Sequence, residues 1–496
     1  MLSCLFFMKK KEGETMTKKQ DISNNASPYE FYGKLPLSKS IPLGLQHVMA
    51  MFVGNLTPIL IIMGACGMTA DDGFGELRTA LLQNAMIIAG IVTLVQLFSI
   101  GPCGGKVPII MGTSSGFLGV FSSTAATLGS GVLSYGAIIG ASFIGGLFET
   151  VLGAFLKPLR RFFPPVVTGC VVMSIGLSLI GVGLNYFCGG NGVNDYGSLY
   201  NMALGTLVLI VILVFKHLFD PKSMVSSASV LIGIVVGYIA AIIMTLVLPH
   251  TGVNAEGVEY TFSWVVNFQA IKDASWFAFP SIAGLGKLSE LKMSFQPQAI
   301  FPILIMFIVT AVETVGDISG VIEGGMDREP TDRELSGGVI CDGLGSSFAA
   351  LFGVLPNTSF SQNVGLVSMT KVVNRKALSC GAFFLIICGL CPKVAAVMSI
   401  MPQSVLGGAA VMMFSSIVVS GIQMITKCEI GTREITIVSV SIGLGYGIGA
   451  TAAATSAMPY YVQLIFGGSG IVPAALAAII LNIILPQNEE VKQKEE

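Results

Sequence analysis

Charge is what this chain has least of. Lysine, arginine, aspartate and glutamate make up 11% of its 496 residues, against about a quarter in an ordinary soluble domain. A chain so poor in polar groups has nothing to cover a water-facing surface, which excludes a set of soluble domains. The net charge is −1, so no basic field points to nucleic acid and no acidic one to a cationic partner. Histidine is scarce as well, limited to His47, His217 and His250. With so few imidazoles, and with Cys388 and Cys391 forming the C-x-x-C of an apolar run, the ten cysteines read as packed helix thiols rather than metal or redox ligands. No phosphate-cradling G-x-x-x-x-G-K-[ST] occurs, since "GPCGGKV" lacks both the spacing and the hydroxyl, which leaves nucleotide-driven pumping without a site. H-E-x-x-H is absent, and although Gly112–Gly116 spells G-x-S-x-G it lies inside an apolar run, so a membrane hydrolase lacks a visible catalytic constellation. The chain is expected not to be an enzyme and to need no cofactor or metal.

What is there instead is apolar sequence, 53% of the residues, in runs near the length that crosses a bilayer. They fall at 41–64, 79–100, 107–125, 131–156, 163–187, 199–216 and 226–248, then at 297–322, 337–353, 357–371, 377–399, 402–424, 433–453 and 468–485. Alternating these fourteen from a cytoplasmic N-terminus puts 22 Lys and Arg inside and five outside, the asymmetry expected of a correct topology. Both termini are therefore expected in the cytoplasm, with a lipid bilayer as the solvent of everything between. The start "MLSCLFFMKKKEGETMTKKQ" has its positive charges after the apolar residues, the wrong order for a secretory signal. It reads as a tail, with translation starting at Met1 or Met16.

Two segments are anomalous, and in corresponding places. The third, "VPIIMGTSSGFLGVF", and the tenth, "LPNTSFSQNVGLVSMTK", are short, rich in Ser and Thr, and interrupted by Gly. Other echoes accompany them: Gly54-Asn55 of segment one with Gly316-Asp317 of segment eight, and "PPVVTG" of segment five with "PQSVLG" of segment twelve. The spacing is seven segments throughout, an odd number, so the second half is expected to be inverted in the membrane. Broken segments at matched places of inverted repeats point to a midplane substrate site, where non-helical backbone is tolerated only beside a cavity or inside protein. Close helix packing through Gly and Ser is the plainer alternative for either segment alone.

Ionisable groups inside these runs sharpen the reading. Glu313 and Asp317 stand at i, i+4 in "IVTAVETVGDISG", on one helix face, and Asp342 follows in "GVICDGLGSS". Three central carboxylates cost on the order of 8–10 kcal/mol on insertion scales, and no Lys or Arg of those segments pairs with them. Unpaired carboxylates in a low dielectric take up protons, which is what a proton symporter needs beside its substrate. Asp342 is also placed to be a helix cap. His47, in "GLQHVMAM", is a lone histidine that fits a satisfied core position as well as a functional one. Gln362 and Asn363 bring amides that require either a protein network or a ligand.

Gln362-Asn363-Val364-Gly365, followed by Thr370-Lys371, resembles the signature of the nucleobase–ascorbate transporter family. "LPNTSFSQN", the Glu-x-x-Gly-Asp of Glu313–Asp317 with its Gly316, the Gln46-His47 pair and the "GTSS" of segment three resemble that family too, in the same order over about 41–485. The resemblance implies an all-α polytopic membrane protein of fourteen transmembrane segments in two inverted seven-segment repeats, with strand-containing broken segments 3 and 10. It implies a cytoplasmic N-terminal tail at 1–40 and a core domain at 41–156 and 297–399. A gate domain at 163–248 and 402–485 would mediate a homodimer, with an extracytoplasmic loop at 249–296 and a cytoplasmic tail at 486–496. By similarity Glu313 and Gln362 bind a nucleobase, with the backbone near Ser361 assisting and Asn363 in support. Asp317, Asp342 and His47 join the proton-linked network. Ser114, Ser115 and Phe117 would contribute to the substrate site, the two serines on the broken strand of segment three, where relatives have a polar residue followed by an aromatic; here Gly116 precedes Phe117. Gly365 would provide a tight backbone, while Thr370 and Lys371 mark the segment's cytoplasmic end. The implied activity is proton-coupled import of an oxidised purine across the inner membrane by an elevator motion, xanthine first and urate close behind. A uracil or broad nucleobase permease is the alternative, and an anion transporter of related fold a more distant one.

Overall fold

Where no water reaches the backbone, a helix is the arrangement that satisfies nearly all its N–H and C=O groups within one segment, and the apolar runs accordingly coil. The computed structural model describes residues 27–68, 73–129, 131–156, 164–190, 193–253, 257, 259–451, 457–459, 462, 466 and 470–486. The start at Met1 or Met16, the positive charges at 157–161 and most of the C-terminal tail lie outside the described residues.

The first half comprises α1 (Leu37–Ala65), α2 (Gly75–Phe98), strand β1 (Met111–Thr113), α3 (Leu118–Leu128), α4 (Val132–Ala154), α5 (Pro165–Phe187), α6 (Leu199–Leu218) and α7 (Ser229–Val247). A small hairpin of β2 (Thr251–Val253) and β3 (Glu259–Thr261) stands in the long loop. The second half comprises α8 (Pro297–Met326), α9 (Asp332–Leu351), β4 (Asn357–Ser359), α10 (Ser361–Thr370), α11 (Arg375–Gly389), α12 (Pro392–Ser399), α13 (Gln403–Ile425), α14 (Thr432–Ala450) and α15 (Ile471–Ile484). Each of the fourteen apolar intervals thus holds a helix, a bent helix pair, or a strand and a short helix. Eight of the described helices are long and apolar enough to cross a membrane, or nine if α11 and α12 count as one span.

Three elements differ from the sequence reading. The run at 377–399 is bent by 80°, because Pro392 has no N–H to continue α11 and instead begins α12. The strand of segment three ends at Thr113, so Ser114 and Ser115 follow it rather than lie on it. The first helix starts at Leu37, inside the stretch assigned to the tail, and 27–35 is docked. There Asn374 donates to the carbonyls of Ser27, Glu30 and Gly33, and Arg375 lies over the Tyr32 ring.

The two broken segments meet. β1 and β4 pair antiparallel, with Met111 opposite Ser359 and Thr113 opposite Asn357. Three-residue strands leave edge groups to satisfy, and neighbouring side chains do so. Asn55 Oδ1 accepts from Thr113 N at 2.8 Å, Thr93 Oγ1 from Met111 N at 2.9 Å, and Ser346 Oγ from Asn357 N at 3.0 Å. Packing divides the helices into two groups: α4 lies on α8 and α9, and α11 on α1 and α2, whereas α13 packs on α5 and α6, and α14 on α15 and α5.

Helix α9 starts on a capping box in which Thr331 Oγ1 accepts from Glu334 N and Glu334 Oε2 accepts from Thr331 N. Partial burial pushes the Glu334 carboxyl up, but its bonds to Arg328 and Thr331 outweigh that and hold it below the ordinary range. A depressed carboxyl stabilises the folded state above its unfolded value, near pH 4.3, and that contribution fades only as pH falls further. Thr331→Ala is expected to cost about 1 kcal/mol, read as a lowered melting temperature of the detergent-solubilised protein at neutral pH.

Candidate substrate site

Helix α8 carries a polar stripe within its apolar run. Thr310, Glu313, Thr314 and Asp317 stand at i, i+3, i+4 and i+7, hence on one face. β4 runs across that stripe. Ser359 Oγ donates to Asp317 Oδ2 at 2.7 Å, and the Ser361 hydroxyl, at the start of α10, lies 3.0 Å from Asp317 Oδ2 and 3.3 Å from Glu313 Oε1. From α9, Asp342 Oδ2 accepts from Thr314 and, at 3.0 Å, from Thr358. Asp342 is the eleventh residue of its helix and fully buried, so it is not a cap. One oxygen of each carboxylate, Glu313 Oε2, Asp317 Oδ1 and Asp342 Oδ1, is buried without a hydrogen-bond partner among the described residues.

In front of the stripe lies a cavity of about 300 Å³, part of it open to solvent. The ends of both broken segments form its polar wall: Thr113 to Gly116 from the first, Thr358 to Gln362 from the second, with Glu313 between. Both short helices, α3 and α10, begin at this cavity, so their positive ends face it. The opposite wall is apolar, with Ile175 of α5 and Ile417 of α13, so the cavity lies between the two helix groups.

Of the residues singled out in the sequence, Glu313, Ser361, Gln362, Ser114 and Ser115 line this cavity. Asp317 stands directly behind it through Ser361, and Asp342 behind Thr358. Gln362 is half-buried and its amide has no partner among the described residues. His47 and Asn363 are buried together behind the wall, where His47 Nδ1–H donates to Asn363 Oδ1 at 2.6 Å. Phe117 is not at the cavity: it packs between Phe121 and Phe307, ring centroids 5.2 and 4.8 Å away. Gly316 is a close-packing position, since a Cβ there would come 2.7 Å from Thr168 of α5. Gly365 is not, because open space surrounds it and the contact of α10 with α8 runs through Val364 onto Gly320. Thr370 and Lys371 end α10, and Lys371, in the left-handed region, pairs with Asp327 at 2.7 Å.

Two of the residues that the sequence reading missed in this region stand out. Phe360 caps α10, lines the cavity and lies over Gly54, where a Cβ would come 2.7 Å from its ring. Glu149, in the middle of "GLFETVLG", is buried in α4 and accepts from Thr310 at 3.2 Å. A carboxylate inside an apolar run was the signal that found Glu313, and the same signal was present for Glu149.

A polar cavity between two groups of long apolar helices, with carboxylates at its back, is the frame of an integral membrane protein, and the family match makes it a permease rather than an enzyme. The sequence profile of a permease family matches residues 38–453, and the chain belongs to that family, the one whose signature Gln362–Lys371 resembles. A protein of Clostridium perfringens provisionally named a purine permease is 36% identical over 92% of this chain and 92% of its own. The uric acid permease PucK of Bacillus subtilis is 32% identical over 89% of this chain and 94% of its own. The xanthine permease XanP of Escherichia coli is 29% identical over 97% and 99%. Among solved structures, SLC26A9 superposes with a TM-score of 0.56 at 10% identity, over 90% of this chain and 64% of that one. The transmembrane domain of the cyanobacterial bicarbonate transporter BicA gives 0.50 at 17% identity, over 91% and 99%. At those identities the likeness is one of fold.

Proposed function

We propose that this permease imports an oxidised purine base, xanthine before uric acid, together with a proton. The observation that carries the reading is the placement of an unpartnered Gln362 amide and the half-satisfied Glu313 carboxylate on one cavity wall. A purine lactam presents adjacent N–H and C=O groups, which an amide meets with acceptor and donor together, while Glu313 accepts ring N–H groups. The named activities of relatives, purine, uric acid and xanthine permeases, support the same substrate class. Coupling follows from placement: Glu313 touches both the cavity and, through Ser361, Asp317, so a proton and a base stabilise the same state. One proton moving through 100 mV is worth ~2.3 kcal/mol, enough for about 50-fold accumulation of a neutral base.

The architecture behind this is two inverted repeats of seven segments. It is supported by matched roles: Asn55 of α1 holds β1 as Asp317 of α8 holds β4, and Pro164 and Pro402 both cap their helices. The group α1–α4 with α8–α12 acts as a core that carries the base, moving like an elevator against the gate group α5–α7 with α13–α15. The inner membrane, cytoplasmic termini and a homodimer formed through the gate complete the proposal, the termini on the charge asymmetry and the other two on the family resemblance.

Uptake of radiolabelled xanthine, urate and uracil by permease-deficient cells, with and without a proton uncoupler, tests it. Saturable purine uptake that the uncoupler abolishes is expected. Saturable uracil uptake without purine competition would reassign the substrate, and uptake indifferent to the uncoupler would remove the proton.

A further inference from the structure

Glu149 has no role in the account so far, and its surroundings give it one. Helices α4 and α9 touch through glycine: a Cβ on Gly146 would come 2.4 Å from the Gly343 carbonyl oxygen, and one on Gly343 would come 2.5 Å from that of Gly146. This contact seats Glu149, one turn after Gly146, and Asp342, next to Gly343, against the same polar stripe of α8. Thr310 serves Glu149 and Thr314, one turn on, serves Asp342. Among the described residues, Asp342 from α9 and Glu313 from α8 are the charged groups facing Glu149, and both are acids.

The Thr310 hydroxyl is placed to serve either protonation state. It lies 3.2 Å from Glu149 Oε1 and 3.2 Å from the Met306 carbonyl of its own helix. It can donate to a carboxylate, or donate to Met306 while its oxygen accepts the proton of a carboxylic acid. Asp342, for its part, keeps one oxygen buried and without a partner among the described residues. Two acids facing one stripe without a cation do not both ionise, and they titrate as a pair.

We propose that Glu149 is a further positioning residue for proton coupling: it and Asp342 hold one proton between them, so that Glu149 sets the pH at which Asp342 releases its share. The inference rests on the proton-coupled reading above. It concerns a residue that does not line the substrate cavity, which makes its signature separable from substrate binding. Replacing Glu149 by an amide removes a like charge, so Asp342 takes up its proton less readily and uptake fails at a lower pH.

The test is the pH profile of xanthine uptake by wild type, Glu149→Gln and Thr310→Val in the same permease-deficient cells, with membrane abundance and KM measured alongside. The expected result is unchanged KM and an alkaline limb displaced by about one pH unit toward acid in Glu149→Gln. Thr310→Val, which removes the hydroxyl but no carboxyl, shifts the limb as well and reads the same network if the first variant does not reach the membrane. A wild-type profile in either variant that reaches the membrane, or a uniform loss at every pH with the shape preserved, overturns the proposal. If instead the wild type is itself insensitive to pH and uncoupler, it is the symport reading that fails, and that outcome is visible before any variant is compared.

Discussion

Glu313→Gln is expected to abolish concentrative uptake while leaving the protein in the membrane. The amide is nearly isosteric, and its oxygen can still accept from Ser361, which lies 3.3 Å from Glu313 Oε1. What the substitution removes is the ability to take up and release a proton. It also exchanges Oε2, a buried acceptor that no group among the described residues satisfies, for a donor aimed into the same space. The gradient of about 50-fold that one proton sustains across 100 mV is therefore expected to collapse to none. Immunoblotting of membranes alongside steady-state uptake checks both halves of the statement. Accumulation at the wild-type level would take Glu313 out of the mechanism.

Gln362→Leu is expected to raise the KM for xanthine with little change in membrane abundance. Leucine is close in size and leaves the start of α10 unaltered, but it offers nothing to the lactam edge of a base. The base then enters a closed site with a donor and an acceptor unpaired, which costs about 2 kcal/mol or more, at least ~30-fold in apparent affinity. Concentration dependence of initial uptake rates measures it. An unchanged KM would mean that the amide does not face the substrate and that the specificity of the cavity lies with the backbone of the broken segments.

Much of the architecture was legible because the bilayer dictates it. Run length and the 22-to-five charge asymmetry placed fourteen intervals, and each contains the helix or strand–helix unit that the lack of water demands. The pairing of β1 with β4 was not readable as periodicity, since three-residue strands have none; only their Ser and Thr content marked them. The bend at Pro392 was written in the sequence but hidden by continuous hydropathy, which weighs side chains and not missing N–H groups. At the site, polar residues in apolar runs led to Glu313, Asp317, Asp342 and Gln362, because such residues need a reason wherever they sit. Where a side chain points was less accessible. Phe117 turns into the core and Phe360 toward the cavity, a difference set by the backbone between each strand and its helix rather than by residue type. Gly365 sits in open space for a similar reason: a glycine in a motif says that a side chain is absent, not which neighbour approaches.

Equilibrium binding of radiolabelled xanthine to the purified protein in detergent tests the central claim most directly, with unlabelled urate, uracil and bicarbonate as competitors. The account predicts saturable binding that urate displaces and that uracil and bicarbonate do not, weakened in Gln362→Leu. Displacement by bicarbonate, or xanthine binding untouched by the Gln362 substitution, would contradict it.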